Sequence, residues 1–312
     1  MGVFGTGLYS GDFAIDLRSA ISAVVRLPYD SDKLADILCE SEPTVANDPN
    51  DEDHNTFWLV IADQFAKRGI VCDRVRDKAL AIIDSGADLA TLEKRGMNPS
   101  DLRKRQKMLK HVRERIAAPA ADGRPRPVLK KPQVLLMELG DVLVYPTFGG
   151  RCINPYFASR ELDRRGTMAP AWKQDGWAAM VIVDRGRAFD FLAWYRPLTI
   201  SRAMAHKPTL EQLRGEVLWR LSRPGTCSLL HFKRMELEKI GTVAIDNEKL
   251  QRSFPGMRPG TSAAISDISI ANALSVAPYS REPLTPVPGE PLKLKPGRPP
   301  AAIREIGEIL SN

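Results

Sequence analysis

The oxygen-bearing side chains of the run NDPNDEDHN (47–55) alternate at Asp48, Asn50 and Glu52, as in calcium-binding loops. However, Pro49 interrupts the run, no glycine stands at the sixth position, and no glutamate closes a twelve-residue loop. Zinc is also disfavoured, because no cysteine pair has ligand spacing and the histidines are isolated. The histidines are His54, His111, His206 and His231. The sequence therefore predicts no metal and no cofactor, and a solvated loop at 47–55.

Covalent catalysis needs a nucleophile beside a base, and the chain contains neither a G-x-S-x-G elbow nor a Walker phosphate loop. Three carboxylates, Asp175, Asp184 and Asp190, could converge into a glycosidase-type pair. Each of them also suits a turn between strands. We therefore expect a protein that is not an enzyme.

Aromatic side chains near arginines form the next candidate, because such residues dominate protein-binding surfaces. Most of the rings are expected in a hydrophobic core. Any ring left exposed beside Arg187 or Arg196 would contribute to a binding patch. The predicted patch comprises Trp172, Trp177, Arg187, Trp194, Tyr195 and Arg196.

Charge is unevenly distributed along this chain of net charge +7. Residues 1–60 hold three Lys/Arg against eleven Asp/Glu, a net −8, whereas residues 101–131 hold eleven against three, a net +8. The basic excess fits either a solvated helix face and linker or a nucleic-acid contact. Gly-Arg-Pro also occurs twice, as in extended hooks that enter A·T-rich minor grooves. The nucleic-acid candidates are Arg103, Lys104, Arg105, Arg124, Arg126 and Arg298.

The glycine-rich start MGVFGTGLYSGDF contains the pattern of a myristoylation signal, and it also resembles a phosphate loop. The acidic residues that follow it oppose both anionic lipid and phosphate. A shaped turn explains the stretch better, because Gly5 and Gly7 permit positive φ and Asp12 can cap the first helix. We therefore expect structural roles for these three residues.

No stretch approaches eighteen consecutive apolar residues, and no secretory signal is visible, so no membrane association is expected. The cysteines are widely spaced, which is typical of isolated thiols in a reducing compartment. They are Cys39, Cys72, Cys152 and Cys227. The sequence therefore favours the cytoplasm.

Helical periodicity dominates residues 1–116, which we expect to form a small helical domain. Three of its segments carry end signals: Asn55 or Thr56 can cap one helix, Gly86 can end another, and Pro99 can open a third. Residues 117–132, rich in proline, alanine and arginine, are expected to be a linker.

Strand patterns follow in residues 133–276. The segment DGWAAMVIVDRGRAFDFLAWYRPL predicts a hairpin around DRGR, further strands are expected over 218–246, and TLEQLRGEV predicts a helix. Residues 277–312 should be an extended proline-rich tail that ends in a short helix, AAIREIGEIL. The predicted class is α+β: a helical domain, an antiparallel β-rich domain like an open barrel, and the tail.

Three ordered motifs carry a resemblance. The pattern G-x-G-x-[FY]-x-x-D-x-A-x-D spans residues 5–16, FWLVIADQFAKRG at 57–69 includes Trp58 and Asp63, and ALAIIDSGADL lies at 79–89. Together they resemble the bacterial family called domain of unknown function 4259, although Phe4 stands where that family often has tryptophan. The segments LGDVLVYP and DGWAAMVIVDRG are similar to the β domain of immunity-protein-like families.

We expect structural roles for Trp58 and Asp63, both in the second motif. The resemblance implies no established enzyme activity, and a role in binding that includes toxin neutralisation. We therefore predict a non-catalytic bacterial protein-interaction module of the immunity-protein kind. Its β domain would contact a protein partner, and its acidic helical domain would suit a basic one. The alternative is a DNA-associated protein that uses the basic segment 103–131 and the Gly-Arg-Pro elements. The oligomeric state is left open.

Overall fold

The computed structural model of the chain describes residues 5–118, 126–153, 155, 174–215, 217–257, 260, 270–276, 302–303 and 305–311. The chain divides into two compact units, one built on Met1–Lys131 and the other on Pro132–Ala263 and Ile268–Asn312. Helices form the first unit, and an antiparallel sheet with short helices forms the second. The predicted α+β class is confirmed.

Helix α4 is the centre of the helical unit. Eleven of its thirteen residues are buried, and α1, α3, α5 and α7 all pack against it. Its run FWLVIA (57–62) is apolar through more than one full turn, which is the pattern of a helix enclosed by others. The helices described in this unit are α1 (Asp12–Val24), α2 (Ser31–Ser41), α3 (Pro43–Asn47), α4 (His54–Ala66), α5 (Asp73–Ser85), α6 (Ala87–Lys94) and α7 (Pro99–Ala117).

Two helix ends follow their sequence signals. Helix α7 begins with Pro99, and the Asn98 side chain accepts a hydrogen bond from the backbone N–H of Asp101 at 2.9 Å. Helix α5 ends at Gly86, whose φ of 72° is the left-handed conformation of a helix C-cap. The short helices α3 and α6 were not predicted, because each offers too few turns for a clear apolar period. Helix α2 was also missed, although Asp30 caps it and its buried residues follow helical spacing: Leu34, Ala35, Ile37 and Leu38.

Two predicted caps are wrong. Asp12 is the first residue of α1, Gly11 is its N-cap, and in the described part of the chain no side chain caps the helix start. The Asp12 carboxylate instead lies near the positive end of the helix dipole. Helix α4 begins at His54, before the predicted caps Asn55 and Thr56, and the Asn55 side chain is buried within the unit.

The described part of the second unit contains a six-stranded sheet of order β5-β1-β2-β3-β4-β6, with antiparallel neighbours. Within the described ranges β5 and β6 are the edge strands, so the sheet is open and does not close into a barrel. Strands β1 and β3 are buried along their whole length, so both faces of the sheet centre are covered. The strands are β1 (Asp141–Thr147), β2 (Gly176–Ala188), β3 (Leu192–Ile200), β4 (Trp219–Leu221), β5 (Glu238–Thr242) and β6 (Ala302–Ile303).

The β2–β3 hairpin turns later than predicted. The DRGR stretch lies inside β2, and the turn is formed at Phe189 and Asp190, with φ values of 51° and 60°. Positive φ at two successive residues matches the twist of paired strands, as in type I′ turns. The sequence lacks the Asn-Gly or Asp-Gly pair that usually marks this turn, which explains the misplacement.

Short helices accompany the sheet. Helix α8 confirms the prediction from TLEQLRGEV, whereas α9 replaces an expected strand. The Ser228 hydroxyl accepts a hydrogen bond from the backbone N–H of His231 at 3.3 Å, so a capping signal was present there. The described helices are α8 (Leu210–Arg214), α9 (Leu229–Arg234), α10 (Asn247–Ser253), α11 (Ile270–Ala273) and a 3-10 helix (Ile306–Ile309).

The C-terminal segment docks on the second unit as strand β6 and the 3-10 helix, and not as the predicted α-helix. Ile303, Ile306 and Ile309 are buried. The backbone N–H of Asp246 donates to the Ile309 carbonyl at 2.8 Å, and the backbone N–H of Ser311 donates to the Ala244 carbonyl at 2.9 Å. The predicted extended tail at 277–300 lies outside the described residues.

Candidate functional site

The aromatic side chains predicted to form a binding patch are mostly buried. Trp194 is only 4% exposed, and its ring lies so close to Gly186 that a Cβ there would come within 2.9 Å of it. Tyr195 has no exposed surface, and its hydroxyl accepts a hydrogen bond from the backbone N–H of Leu136 at 2.7 Å. Both rings therefore stabilise the sheet and are not available to a partner.

Arg196 is buried as well, with a guanidinium nitrogen 3.7 Å from an Asp184 carboxylate oxygen. Burial raises the pKa of Asp184 and lowers that of Arg196, since both charges leave water. The backbone N–H groups of Arg185 and Gly260 also donate to the Asp184 carboxylate, at 2.9 and 3.1 Å. This pair is an internal support at the bulge in β2.

The remaining patch residues do not meet. Trp177 is half-buried near the start of β2, whereas Arg187 is exposed near its end. Ten residues of strand separate them, about 33 Å at the usual rise. The Arg187 guanidinium donates to the Gln133 carbonyl at 2.9 Å. Trp172 lies outside the described residues, so the predicted patch is wrong for the residues that can be placed.

The three carboxylates considered for catalysis are separated too. Asp175 accepts hydrogen bonds from the Thr147 hydroxyl at 2.7 Å and the Gly150 N–H at 3.0 Å, before β2 begins. Asp184 lies at the bulge, and Asp190 in the hairpin turn. They form no carboxylate pair. Among the described residues, no group of three His, Cys, Asp or Glu side chains could hold a metal ion.

The glycine-rich start forms a tight turn. Gly5 has a φ of 84°, and a Cβ there would lie 2.9 Å from the Ser10 hydroxyl. Gly7 would bring a Cβ equally close to Ser10, although its φ is not positive. Its N–H donates to the Ser10 hydroxyl at 3.0 Å. Both glycines are therefore structural, Gly7 through close approach of the chain and not through its φ.

Tyr9, at this turn, belongs to a buried polar cluster with Asp63. The Asp63 carboxylate, 1% exposed, accepts hydrogen bonds from the Tyr9 hydroxyl, from Lys67 at 2.6 Å and from Arg115. The Gln64 side chain donates to the Tyr9 hydroxyl. Burial, and then the hydrogen bond to Asp63, raise the pKa of Tyr9. The cluster joins the N-terminal turn, α4 and α7, which gives Asp63 a structural role.

Trp58, the other residue of this motif expected to be structural, lies inside the unit. Its side chain is 7% exposed, and its indole N–H donates to the Ala46 carbonyl at 3.2 Å. The ring also meets Phe57 edge-on, with 5.4 Å between centroids. It fixes α3 against α4.

Arg105, a nucleic-acid candidate, is an interior residue. Its guanidinium donates twice to the Asp88 carboxylate, at 2.8 and 2.9 Å, and once to the Gly7 carbonyl at 2.9 Å. Both side chains of the pair are at most 5% exposed. A bidentate pair of this kind holds the N-terminal turn, α6 and α7 together. The prediction that Arg105 contacts nucleic acid is therefore wrong.

The other nucleic-acid candidates have different environments. Arg126 donates to the carbonyls of Val25, Leu27 and Tyr29, beyond the end of α1, and burial lowers its pKa. Lys104 is exposed and pairs with Asp101 at 2.8 Å, and Arg103 is exposed. Arg124 and Arg298 lie outside the described residues. Arg126 is thus committed to its own unit.

Exposed cations do line a groove of about 620 Å³ on the helical unit. We call it the basic groove; its rim is formed by Arg103, Lys107, Lys110 and Arg113, and its floor by Ile83, Leu89 and Leu109. Arg113 pairs with Asp84 at 2.7 Å. Among the described residues, none makes an ion pair with the other three cations. Sequence reasoning missed Lys107 and Lys110, although their spacing from Arg103 (four and seven residues) places all three on one helix face.

Carboxylates gather on the other charged region of this unit, around the loop from α3 to α4. Burial, and then repulsion from Asp51, raise the pKa of Glu42. Burial also raises the pKa of Asp53, with Arg95 opposing and Glu52 and Asp51 adding to the rise. We call this region the acidic surface; it comprises Glu42, Asp48, Asp51, Glu52 and Asp53.

The loop inside the acidic surface is organised by its own backbone. The Asp48 carboxylate accepts a hydrogen bond from the N–H of Asn50, and that of Asp51 from the N–H of Asp53, both at 2.9 Å. These contacts fit the predicted solvated loop for residues 48–53, because short acidic side chains often bond the backbone two residues on. The ends of the predicted loop are helical: Asn47 belongs to α3, and His54 and Asn55 are buried in α4.

Comparison of the chain with protein-family models, curated proteins and solved structures finds no match. The resemblances to domain of unknown function 4259 and to immunity-like β domains therefore stay predictions. Within the described ranges, every helix is too short or too polar to cross a bilayer.

Proposed function

We propose that this chain is a non-catalytic interaction protein of the immunity-protein kind, which binds a partner protein through the charged surfaces of its helical unit. Trp194 and Tyr195, two of the aromatic residues first considered for this contact, are buried in the sheet, and the charged surfaces of the helical unit are exposed. The observation that carries it is the separation of exposed charge into an acidic surface and a basic groove.

Charge separation favours a protein partner because a protein can present both signs. A polyanion would be attracted to the groove and repelled by the acidic surface. Complementary charges accelerate encounter and select against wrong partners. Arg95 already lies 3.6 Å from Glu52 and 3.9 Å from Asp53. The repulsion that remains between Glu42 and Asp51, and among the carboxylates beside them, would be relieved by lysine or arginine side chains of the partner. A nuclease-like toxin, whose active surface is basic, has the matching chemistry.

Affinity purification tests the proposal. The tagged full chain is recovered at moderate salt from the bacterium that encodes it, with and without nuclease treatment. We expect one protein in stoichiometric amount that survives the nuclease. The double variant Glu42→Gln and Glu52→Gln should lose most of that protein. The matched control, Glu211→Gln and Glu248→Gln, removes two exposed carboxylates from the second unit and should retain it.

Two results contradict the proposal: recovery of nucleic acid alone, and turnover of a small molecule by the purified chain. Equal loss of the protein from both double variants would also contradict it, because the acidic surface would then be no more important than any other charge.

A second candidate function, nucleic-acid binding, is favoured by one observation, the exposed cations of the basic groove. The salt dependence separates it from the first. The logarithm of the affinity for nucleic acid falls linearly with the logarithm of the salt concentration. The slope is about −0.9 for each neutralised phosphate of duplex DNA. Filter binding of a duplex oligonucleotide between low and physiological salt gives that slope directly.

A further inference from the structure

The basic groove combines two chemistries that a simple charged face does not have. Its rim carries exposed cations, while its floor is aliphatic. We propose that this groove binds an acidic amphipathic segment of the partner protein, with aliphatic side chains on the floor and carboxylates along the rim. This inference rests on the proposed function and names the part of the partner that enters the chain.

The rim cations are arranged as a row. Arg103, Lys107 and Lys110 lie on α7, and seven residues of helix span about 10 Å. All three are exposed, and none pairs with a carboxylate among the described residues. Arg113, one turn further, is already neutralised by Asp84. The available positive charge is therefore confined to the first part of the groove.

The floor offers aliphatic surface. Leu109 is buried, whereas Ile83 and Leu89 remain partly accessible from the groove. Gly86 stands between the last turn of α5 and the start of α6, and a Cβ there would meet no atom of the described residues within 4 Å. The absence of a side chain keeps this side of the groove low and open to an incoming segment.

The lining argues against a nucleic acid as occupant. Proteins that hold single strands stack bases on aromatic side chains. None of the described residues that line this groove is aromatic. A phosphate backbone would contact the rim cations and leave the aliphatic floor without a partner. An amphipathic helix with aliphatic residues three, four and seven positions apart covers the floor and directs its flanking carboxylates to the rim.

A fluorescence-anisotropy titration tests this assignment on the full chain. The probe is a labelled acidic peptide with leucines at positions one, four, eight and eleven of a helix. The first control has the same composition with the leucines scrambled, and the second is a labelled single-stranded oligonucleotide of similar charge. At physiological salt we expect the amphipathic probe to bind at least about tenfold more tightly than either control.

Charge reversal locates the binding. The double variant Lys107→Glu and Lys110→Glu should weaken binding of the amphipathic probe by about tenfold or more. The matched control, Lys78→Glu and Lys94→Glu, reverses two exposed lysines of the same unit outside the groove lining and should bind as the unaltered chain does. Leu89→Ser should weaken binding of the amphipathic probe and leave any residual binding of the scrambled peptide unchanged.

Several outcomes overturn the inference: tighter binding of the oligonucleotide, equal binding of both peptides, or equal loss in both lysine variants. Its failure is distinguishable from failure of the proposed function. A partner that is purified equally well with the Lys107→Glu, Lys110→Glu chain would preserve the proposed function and refute the groove. If no partner protein is recovered at all, both proposals are refuted.

Discussion

The two sides of α7 hold the same residue types for different purposes. Arg105 faces inward, where it donates three hydrogen bonds and is 4% exposed. Arg103 and Lys107 face outward at the basic groove. The inward residue supports the fold, since an enclosed guanidinium with a bidentate partner cannot reach a ligand. A positively charged residue in a helix therefore indicates a binding surface only once it is known whether the residue lies on the buried or the exposed face.

The largest difference between the two sides should appear in stability. Arg105→Ala leaves the buried Asp88 carboxylate without its partner, and breaking such a pair costs about 3 to 5 kcal/mol. Arg103→Ala removes an exposed side chain and should change the free energy of unfolding by less than about 0.5 kcal/mol. Urea unfolding of both variants measures the two changes in the free energy of unfolding. Similar values for the two would mean that the inward pair is not structural.

The inward cluster around Asp63 should also contribute to stability, by a smaller amount. Tyr9→Phe removes the hydroxyl that donates to Asp63 and accepts from Gln64. Asp63 keeps Lys67 and Arg115 as partners, and Tyr9 itself is half-buried, so the variant loses about the net contribution of one hydrogen bond. The free energy of unfolding should decrease by about 0.5 to 1.5 kcal/mol, without a change in affinity for the partner. Loss of partner binding at unchanged stability would place this cluster in the functional surface.

Alkaline pH gives a third test, because burial and the Asp63 hydrogen bond raise the pKa of Tyr9. The folded chain then holds the tyrosine proton more tightly than the unfolded chain, whose tyrosine pKa is about 10. The stabilisation is complete below about pH 10 and is lost as the pH rises above it, by up to about 1.4 kcal/mol per pH unit. Urea unfolding should show this slope, and Tyr9→Phe should reduce it. Parallel profiles for the two chains would contradict the assignment.

The smallest expected effect is at Asp12. Because its side chain makes no capping hydrogen bond, Asp12→Ala should remove only its favourable charge near the start of α1, about 0.3 to 1 kcal/mol. Raising the salt concentration should shrink the difference from the unaltered chain. A salt-independent loss above that range would indicate a capping bond after all.

The sequence predicts more of the fold than of the site. Proline and glycine marked the start of α7 and the end of α5, because backbone restrictions are local and act without help from distant residues. The prediction of an exposed aromatic patch was wrong because the periodicity of a strand does not show whether both faces of its sheet are covered. Trp194 and Tyr195 point to opposite faces, yet both are buried.

The groove could have been inferred in part. Arg105, Leu109, Val112 and Ile116 share one helix face, so periodicity alone places Arg105 in the buried stripe. The same periodicity places Lys107 and Lys110 on the exposed face of α7. What the sequence could not supply is the partner of each charge, since Asp88 and Asp84 come from elements that only the fold brings to α7.

Hydrogen exchange of the full chain, with and without the purified partner protein, tests most directly whether the charged surfaces of the helical unit bind it. Backbone amides of residues 42–53 and of the outward side of α7 should gain protection when the partner is present. Amides of β2 and β3 should exchange at unchanged rates. Protection confined to β2 and β3, with none on the helical unit, would contradict the proposal.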